Sequence, residues 1–508
     1  MKKILIAVFS MTFTGLSLSA QLQSSINNIK QQYSLMGISV VTVCNGDIGE
    51  ICHAGLKDFT RSLPVDDSTM YRIASISKLV TAAGIMKLYE QGLFQLNDDV
   101  SDYLGYTFRN PNYPQTPVTF AMLLSHTSGI QDGSGYSSFL GATYNNSSPP
   151  GIASLFISGG SYYTADMWMN RNPGTYFTYS NANYGVVATL IENISGQRFD
   201  VYMKSQILDP LGIAGSYNVA DITNINNVAV LYRKSGGSWS AQADNFQGVP
   251  PTPTNLSSYT PGTNGFIFGP QGGLRISPSD LARIMQMLIN NGEFNGTVIL
   301  NPATVALMTS PQWTYNGSNG DNYYGLFRSW GLGIQITTQT SGGDIVYPSV
   351  TMYGHCGEAY GLISDFYYDP VKRNGLVFMT NGAYIGYSIG TSSAFYSVEE
   401  SVFSACYQHS YLPCVASGYN SSQTGDISVF PNPASNFIHI KMPELPDVIK
   451  KTELYDVHGK QVYCNSNTNP AQTIYLNGLN DGIYYLKITT SHRSFFKTVV
   501  VIRTESQD

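Results

Sequence analysis

Between residues 37 and 59, β-branched and polar residues alternate around an Asn-Gly pair, so GISVVTVCNGDIGEICHAGLKDF predicts a hairpin opening a sheet. The period then lengthens. Residues 75–91, 118–125, 181–195, 199–207 and 279–291 carry helical spacing or strong helix formers, and Gly92 and Gly292 close two of these runs. Between them, 131–165 and 214–268 are long polar segments rich in Ser, Gly, Asn, Tyr and Pro, read as loops of the kind that serve a site or a partner. Strand-like runs return in SWGLGIQITT, MYGHCGEAYGLISDFYYDP and NGLVFMTNG, before a last helical stretch around 391–405. Sheet residues thus stand at both ends with helices between, which predicts an α/β sheet layer carrying an inserted helical domain.

After Cys414 the pattern stops at VASGYNSSQTGD, a linker composition with nothing to bury. Short alternating runs then resume in NFIHIKM, GIYYLKITT and FFKTVVVIR, separated by turn signals such as VHGK and LNDG, as in a small β-sandwich. At the other end, Lys2 and Lys3 precede an apolar run from Ile4 to Phe9 that fades into Ser17, Ser19 and Ala20. That is the pattern of a secretory signal peptide, with cleavage expected near Gln21. No later stretch reaches about 18 uninterrupted apolar residues, so a soluble mature protein is expected. A lipid anchor on a cysteine just after the signal is excluded, because the first cysteine is Cys44. The chain is therefore read as a signal peptide (1–20), a main domain (21–415), a linker (416–425) and a terminal domain (426–508).

Charge narrows the partners. A net charge of -6 with no Lys/Arg cluster argues against binding a phosphate backbone. Six cysteines in an exported chain invite disulfides. Two local pairs fit by spacing, Cys44 with Cys52 across the predicted hairpin and Cys406 with Cys414, leaving Cys356 and Cys464; unpaired thiols packed as small hydrophobes are the alternative.

Candidate chemistry begins with Ser75 and Lys78, which share the first turn of a helical run in STMYRIASISKLVTAAGIMKLYEQGLFQL, so hydroxyl and amine can meet. Ser494 and Lys497 have the same spacing in a strand pattern, where i and i+3 point to opposite faces. The helix start favours developing negative charge, although a serine there is also an ordinary N-cap. Tyr179-Ser180-Asn181 follows a turn at Pro173-Gly174. A tyrosine beside a lysine can act as general base because the cation favours phenolate. His355-Cys356-Gly357 lies in a strand-like run, where Gly357 permits close approach and the N–H of Glu358 could complete an oxyanion hole with that of Ser75. No other His or Cys lies at ligand spacing from His355, so no metal and no cofactor are expected.

In that order, Ser75-x-x-Lys78, Tyr179-x-Asn181 and His355-x-Gly357 resemble the serine β-lactamase and penicillin-binding superfamily, in its class C β-lactamase, DD-carboxypeptidase and esterase branch. MLLSHTSGI, NPGTYFTYSN, LDPLGI and QGGLRISPSDLARIMQMLINNG extend the likeness over roughly residues 25–405. It implies an antiparallel sheet flanked by helices plus an inserted helical domain, with the site in the cleft between them. It also implies Ser75 as acylated nucleophile, Lys78 as proton acceptor or relay, Tyr179 as general base and then acid, and Asn181 as a substrate-amide contact. His355 stands where lactamases of this class have a lysine, and Glu358 adds a carboxylate beside the site. The function implied is an exported serine hydrolase acting on an ester or a D-amino-acid-containing amide. The alternatives are a class C-type β-lactamase and a catalytically silent penicillin-recognising protein. The terminal runs VFPNPASNFIHI, LYDVHGKQV and LNGLNDGIYYLKITTSHRSFFKTVVVIR resemble the type A C-terminal sorting domain of the type IX secretion system in Bacteroidetes. That implies the secretion machinery as partner and a secreted or cell-surface location.

Overall fold

The computed structural model describes residues 20–415, apart from 146–147, 254 and 385–386, and residues 428–503, apart from 442–448, 457–459, 467–470 and 491–493. The segment expected to be a signal peptide, up to residue 19, and the one expected to be a linker, 416–425, lie outside the described residues. The chain divides into two compact units, Met1–Ile299 with Met308–Cys414, and Leu300–Leu307 with Val415–Asp508. Among the described residues no helix is long and apolar enough to cross a membrane.

The first unit is organised by a nine-stranded sheet. Its strands include β1 (Gly37–Cys44), β2 (Asp47–Asp58), β3 (Tyr353–Ala359), β4 (Leu362–Asp369) and β5 (Asn374–Thr380), which lie side by side in the order β3-β4-β5-β1-β2. All these pairings are antiparallel, and β1 pairs directly with β5, Ile38 opposite Thr380. Strands from both ends of the sequence thus close one sheet, as the hydrophobic pattern predicts. Every residue of β4 and β5 is buried, as for strands covered on both faces. The helices include α1 (Ile76–Glu90), α2 (Ala182–Ser195), α3 (Pro278–Ile289) and α4 (Ser397–Cys406). Each boundary has a local cause. Ser277 accepts from Asp280 N with Pro278 in the first turn of α3, and Gly196 ends α2 with φ 68°.

Two expectations are corrected. The segment 131–165, read as a loop, contains a helix over Ser134–Asn145. Its Ser/Gly composition hides the buried stripe of Tyr136, Phe139 and Thr143. Likewise 214–268 contains a hairpin, Leu231–Ser235 with Ser238–Ala243.

The cysteine pairing is also different. The β1–β2 turn is only Asn45 and Gly46, both at positive φ (54° and 90°), so Cys44 faces Asp47 while Cys52 faces Val40. Cys406 and Cys414 lie on one helical stretch running from 397 to 415, and eight residues of helix separate them by roughly 12 Å. Cys44 instead bonds Cys414, with Cα atoms 5.9 Å apart. Cys52 and Cys406 are buried thiols.

The second unit contains a three-stranded sheet (Ser428–Phe430, Phe437–Lys441, Ala471–Tyr475) and a four-stranded one (Ile449–Tyr455, Gln461–Asn465, Gly482–Thr490, Ser494–Val501). Ile438, Ile440 and Ile474 from the first join Leu454, Leu486 and Ile488 from the second in one core, which makes the unit a small β-sandwich.

Candidate active site

Ser75 sits at the entrance of α1, immediately after Ala74, a buried non-glycine residue held at φ 48°. That left-handed kink is unfavourable for alanine and persists only where the surroundings enforce it. It turns the chain from the short strand Tyr71–Arg72 into α1. Ser75 itself makes no side-chain cap to the helix. Its hydroxyl is instead in reach of Lys78.

Lys78 is fully buried. Its Nζ lies 3.0 Å from Ser75 Oγ, 2.7 Å from Asn181 Oδ1 and 2.8 Å from the Gln271 carbonyl oxygen. It also sits 4.9 Å from the centroid of the Tyr179 ring. Burial pulls its pKa down to about 7, with Asp132 and Cys356 opposing the shift. An amine at that value has both protonation states available near neutrality. As an ammonium it donates to all three acceptors; once neutral it donates to Asn181 and Gln271 and offers its lone pair to Ser75.

Tyr179 is set in an aromatic wall, stacked on Phe327 with ring centroids 5.1 Å apart and lying 4.5 Å from the ring of His126. Burial raises its pKa well above the ordinary tyrosine value, opposed by a hydrogen bond with Ser75. The group is therefore a phenol. The proximity of Lys78 does not produce the phenolate that the sequence suggests, because desolvation acts on lysine and tyrosine together and favours the neutral form of each.

His355 lies behind Tyr179. Its side chain is fully buried, with Nδ1 2.5 Å from the Cys356 carbonyl oxygen and Nε2 3.4 Å from the Tyr179 hydroxyl. A carbonyl can only accept, so Nδ1 carries the proton and Nε2 accepts from the phenol. Burial, then Lys78, pulls the imidazole pKa down to about 3, which keeps it neutral. Gly357 is in the tightest place. A Cβ there would come 2.7 Å from the Ile73 carbonyl oxygen, 2.5 Å from Ser364 Oγ and 3.2 Å from Ser75 N. The glycine is thus required by the chain's own packing of β3 against the segment before Ser75.

Asn181 has both ends of its amide engaged, since Oδ1 accepts from Lys78 and Nδ2 donates 2.7 Å to Asp132 Oδ2. Glu358 is exposed and accepts from the Tyr396 hydroxyl at 2.9 Å. The cleft bounded by Ser75, Asp132, Tyr179, Asn181, Glu358 and Tyr396 has a volume of about 570 Å³. Ser75, Lys78, Tyr179 and Asn181 converge there, Gly357 and Glu358 form its β3 edge, and the His355 ring stands behind Tyr179.

Two residues that sequence reasoning passed over organise this cluster. Asp132 accepts from Ser180 Oγ, Asn181 N, Asn181 Nδ2 and Ala182 N, serving as the cap of α2 from a distant loop. His126 accepts at Nδ1 from Ser180 N at 3.1 Å. His126 belongs to the MLLSHTSGI stretch, whose only sequence signal was its likeness to the family, and Asp132 stands just beyond it in the segment 131–165 read as a loop. Buried Glu399 also lines the cleft, its carboxyl pKa raised by burial.

Residues 22–388, well over half of the chain, match the family described as Beta-lactamase, and residues 428–502 match the Secretion system C-terminal sorting domain. Over 367 residues the chain is 24% identical to Penicillin-binding protein 4 of Amycolatopsis lactamdurans, covering 72% of this chain and 85% of that one. It is 30% identical over 191 residues to Protein flp of Staphylococcus aureus (strain MRSA252), covering 38% of this chain and only 36% of that protein's length. Solved structures that share the fold include EstCE1, a hydrolase with promiscuous acyltransferase activity (21% identity, TM-score 0.56, 78% of this chain and 100% of that chain), and the D-amino acid amidase from Ochrobactrum anthropi SV3 (18%, 0.56, 79% and 99%).

Proposed function

The chain belongs to the beta-lactamase family of serine hydrolases, and from that premise we propose that it cleaves an ester or a D-amino-acid-containing amide through an acyl-enzyme on Ser75. The observation that carries this reading is the buried Lys78 Nζ, 3.0 Å from Ser75 Oγ with a pKa pulled down to about 7. A neutral amine at that distance takes the hydroxyl proton as Oγ bonds to the substrate carbonyl carbon. The negative charge that develops on the carbonyl oxygen falls to the N–H groups of Ser75 and Glu358. Tyr179, held as a phenol, passes its proton to the leaving oxygen or nitrogen as that bond breaks and recovers one from Lys78. Water then repeats the sequence on the acyl-enzyme, restoring Ser75 and releasing the acid. Asn181 aligns Lys78 at one end of its amide and borders the substrate at the other. In the resting site His355 Nε2 accepts the phenol proton, and the hydroxyl turns from it to the leaving atom when it donates there.

Substrate class follows from charge. Asp132 and exposed Glu358 line the cleft, so a substrate whose free carboxylate must sit between them is disfavoured, which places esters and neutral amides first. EstCE1 is described as a hydrolase and another fold relative as a D-amino acid amidase, and both chemistries fit this cleft. The C-terminal sorting domain indicates type IX secretion to the cell surface or beyond. With it we propose the layout of a signal peptide over 1–20, a hydrolase domain over 21–415, a linker over 416–425 and a sorting domain over 426–508. Intact-mass analysis after exposure to a slowly deacylating activated ester tests the reading. One acyl group on the peptide containing Ser75 is expected, and an unmodified chain that still hydrolyses the ester would overturn it.

A further inference from the structure

A second cavity of about 560 Å³ has Arg72, Tyr144, Asp244, Phe268, Arg275 and Tyr360 among its walls. Arg72 and Arg275 face each other across a strand pair. Arg275 is fully engaged, donating from Nε (3.2 Å) and Nη2 (2.7 Å) to Asp244 and from Nη1 (2.8 Å) to the Gly273 carbonyl oxygen. The Arg72 side chain makes no hydrogen bond or ion pair among the described residues, and its Nε is sealed from solvent with no acceptor. Its guanidinium lies 5.2 Å from the centroid of the Tyr360 ring. Two guanidiniums against one carboxylate leave a positive charge without a counter-charge. Burial, and then Arg275, push the Arg72 pKa below the ordinary arginine value, the direction expected of a cation held without compensation.

An uncompensated cation in a partly desolvated cavity is costly unless an anion joins it, and a guanidinium favours a carboxylate geometrically. The cavity is wired to the catalytic cluster. Gln271 accepts from Lys78 through its carbonyl oxygen and donates from Nε2 to the Tyr144 hydroxyl at 3.3 Å. Arg72 stands three residues before Ser75 in the chain. The catalytic cleft, by contrast, is lined with carboxylates.

We propose that this cavity is a carboxylate-binding subsite, in which Arg72 takes the anionic group of an organic acid whose body rests on Tyr144 and Tyr360. The acid is either part of the substrate's acyl portion or a free molecule, and two arms of one experiment tell these apart. The first arm uses the full chain carrying Ser75→Ala and measures binding of benzoate and of neutral benzyl alcohol by calorimetry, with and without Arg72→Met or Arg72→Lys. Benzoate is expected to bind more tightly than the alcohol, Arg72→Met to raise its Kd by about tenfold or more, and Arg72→Lys to raise it less. Absence of benzoate binding, or binding that Arg72→Met leaves unchanged, would overturn the proposal. The second arm compares kcat/KM for a mono-aryl glutarate and an aryl butyrate. If the ratio of the two falls about tenfold in Arg72→Met, the carboxylate belongs to the substrate; if only benzoate binding is lost, the ligand is a free acid. The second arm rests on the acyl-enzyme reading and the first does not. Benzoate binding in a chain that hydrolyses neither ester would therefore count against hydrolysis and leave this site standing.

Discussion

Lys78 Nζ lies 3.0 Å from Ser75 Oγ, and the lysine is completely shielded from solvent. The same burial that brings amine and hydroxyl together depresses the lysine pKa, so position and reactivity have one cause.

The pH dependence follows from the pKa of about 7 at Lys78. Below it the amine is blocked by its own proton. kcat/KM for an activated ester is expected to rise with pH through about 7 and then level off, and Lys78→Arg, which keeps its proton, to lose about 10²–10⁴-fold. Stability has its own sign. Between about 7 and the ordinary lysine value the unfolded chain binds more protons at this position, so stability rises with pH across that window. Thermal unfolding of Lys78→Met and wild type should therefore converge as pH rises, the variant having the advantage on the acid side.

Asp132 accepts four hydrogen bonds at the start of α2. Asp132→Ala leaves those donors without their acceptor and removes the hold on Asn181. A loss of about 1–3 kcal/mol in urea unfolding is expected, with a fall in kcat larger than any change in KM because Asn181 also orients Lys78.

Gly357→Ala would drive a methyl group to 2.7 Å from the Ile73 carbonyl oxygen. The segment carrying the Ser75 N–H would have to shift. We expect about 10²-fold or greater loss of kcat with about 1–3 kcal/mol of destabilisation, measured on one preparation by burst kinetics and denaturant unfolding.

The Cys44–Cys414 bond spans 370 residues of chain. Cys44→Ser and Cys414→Ser are each expected to lower stability by about 2–5 kcal/mol, and reductant to have little further effect on either. Cys52→Ser, at a buried thiol outside the bond, should leave the sensitivity of the wild type to reductant in place.

Much of the fold was legible where hydrophobic period and element coincide. Strands β1 and β5 alternate or run apolar, and α3 carries its cap, its proline and its closing glycine in order. The helix Ser134–Asn145 was not legible, because serine and glycine fill its exposed face and only Tyr136 and Phe139 mark the buried one. The disulfide was misread because spacing says nothing of whether eight residues fold back or run on as helix. At the site, Ser75, Lys78, Tyr179 and Asn181 could be named from motif order. Asp132 and His126 act through the backbone and side chains around Ser180, a role that leaves no residue spacing to detect. The state of Tyr179 depends on desolvation by distant residues such as Phe327 and Trp330, which no local pattern records.

The acyl-enzyme is tested most directly by rapid mixing of an activated aryl ester with the full chain and with Ser75→Ala, following release of the aryl alcohol. The account predicts a burst of about one equivalent per wild-type chain and none in the variant. Equal bursts in the two proteins would contradict it and leave Ser75 as no more than the first residue of its helix.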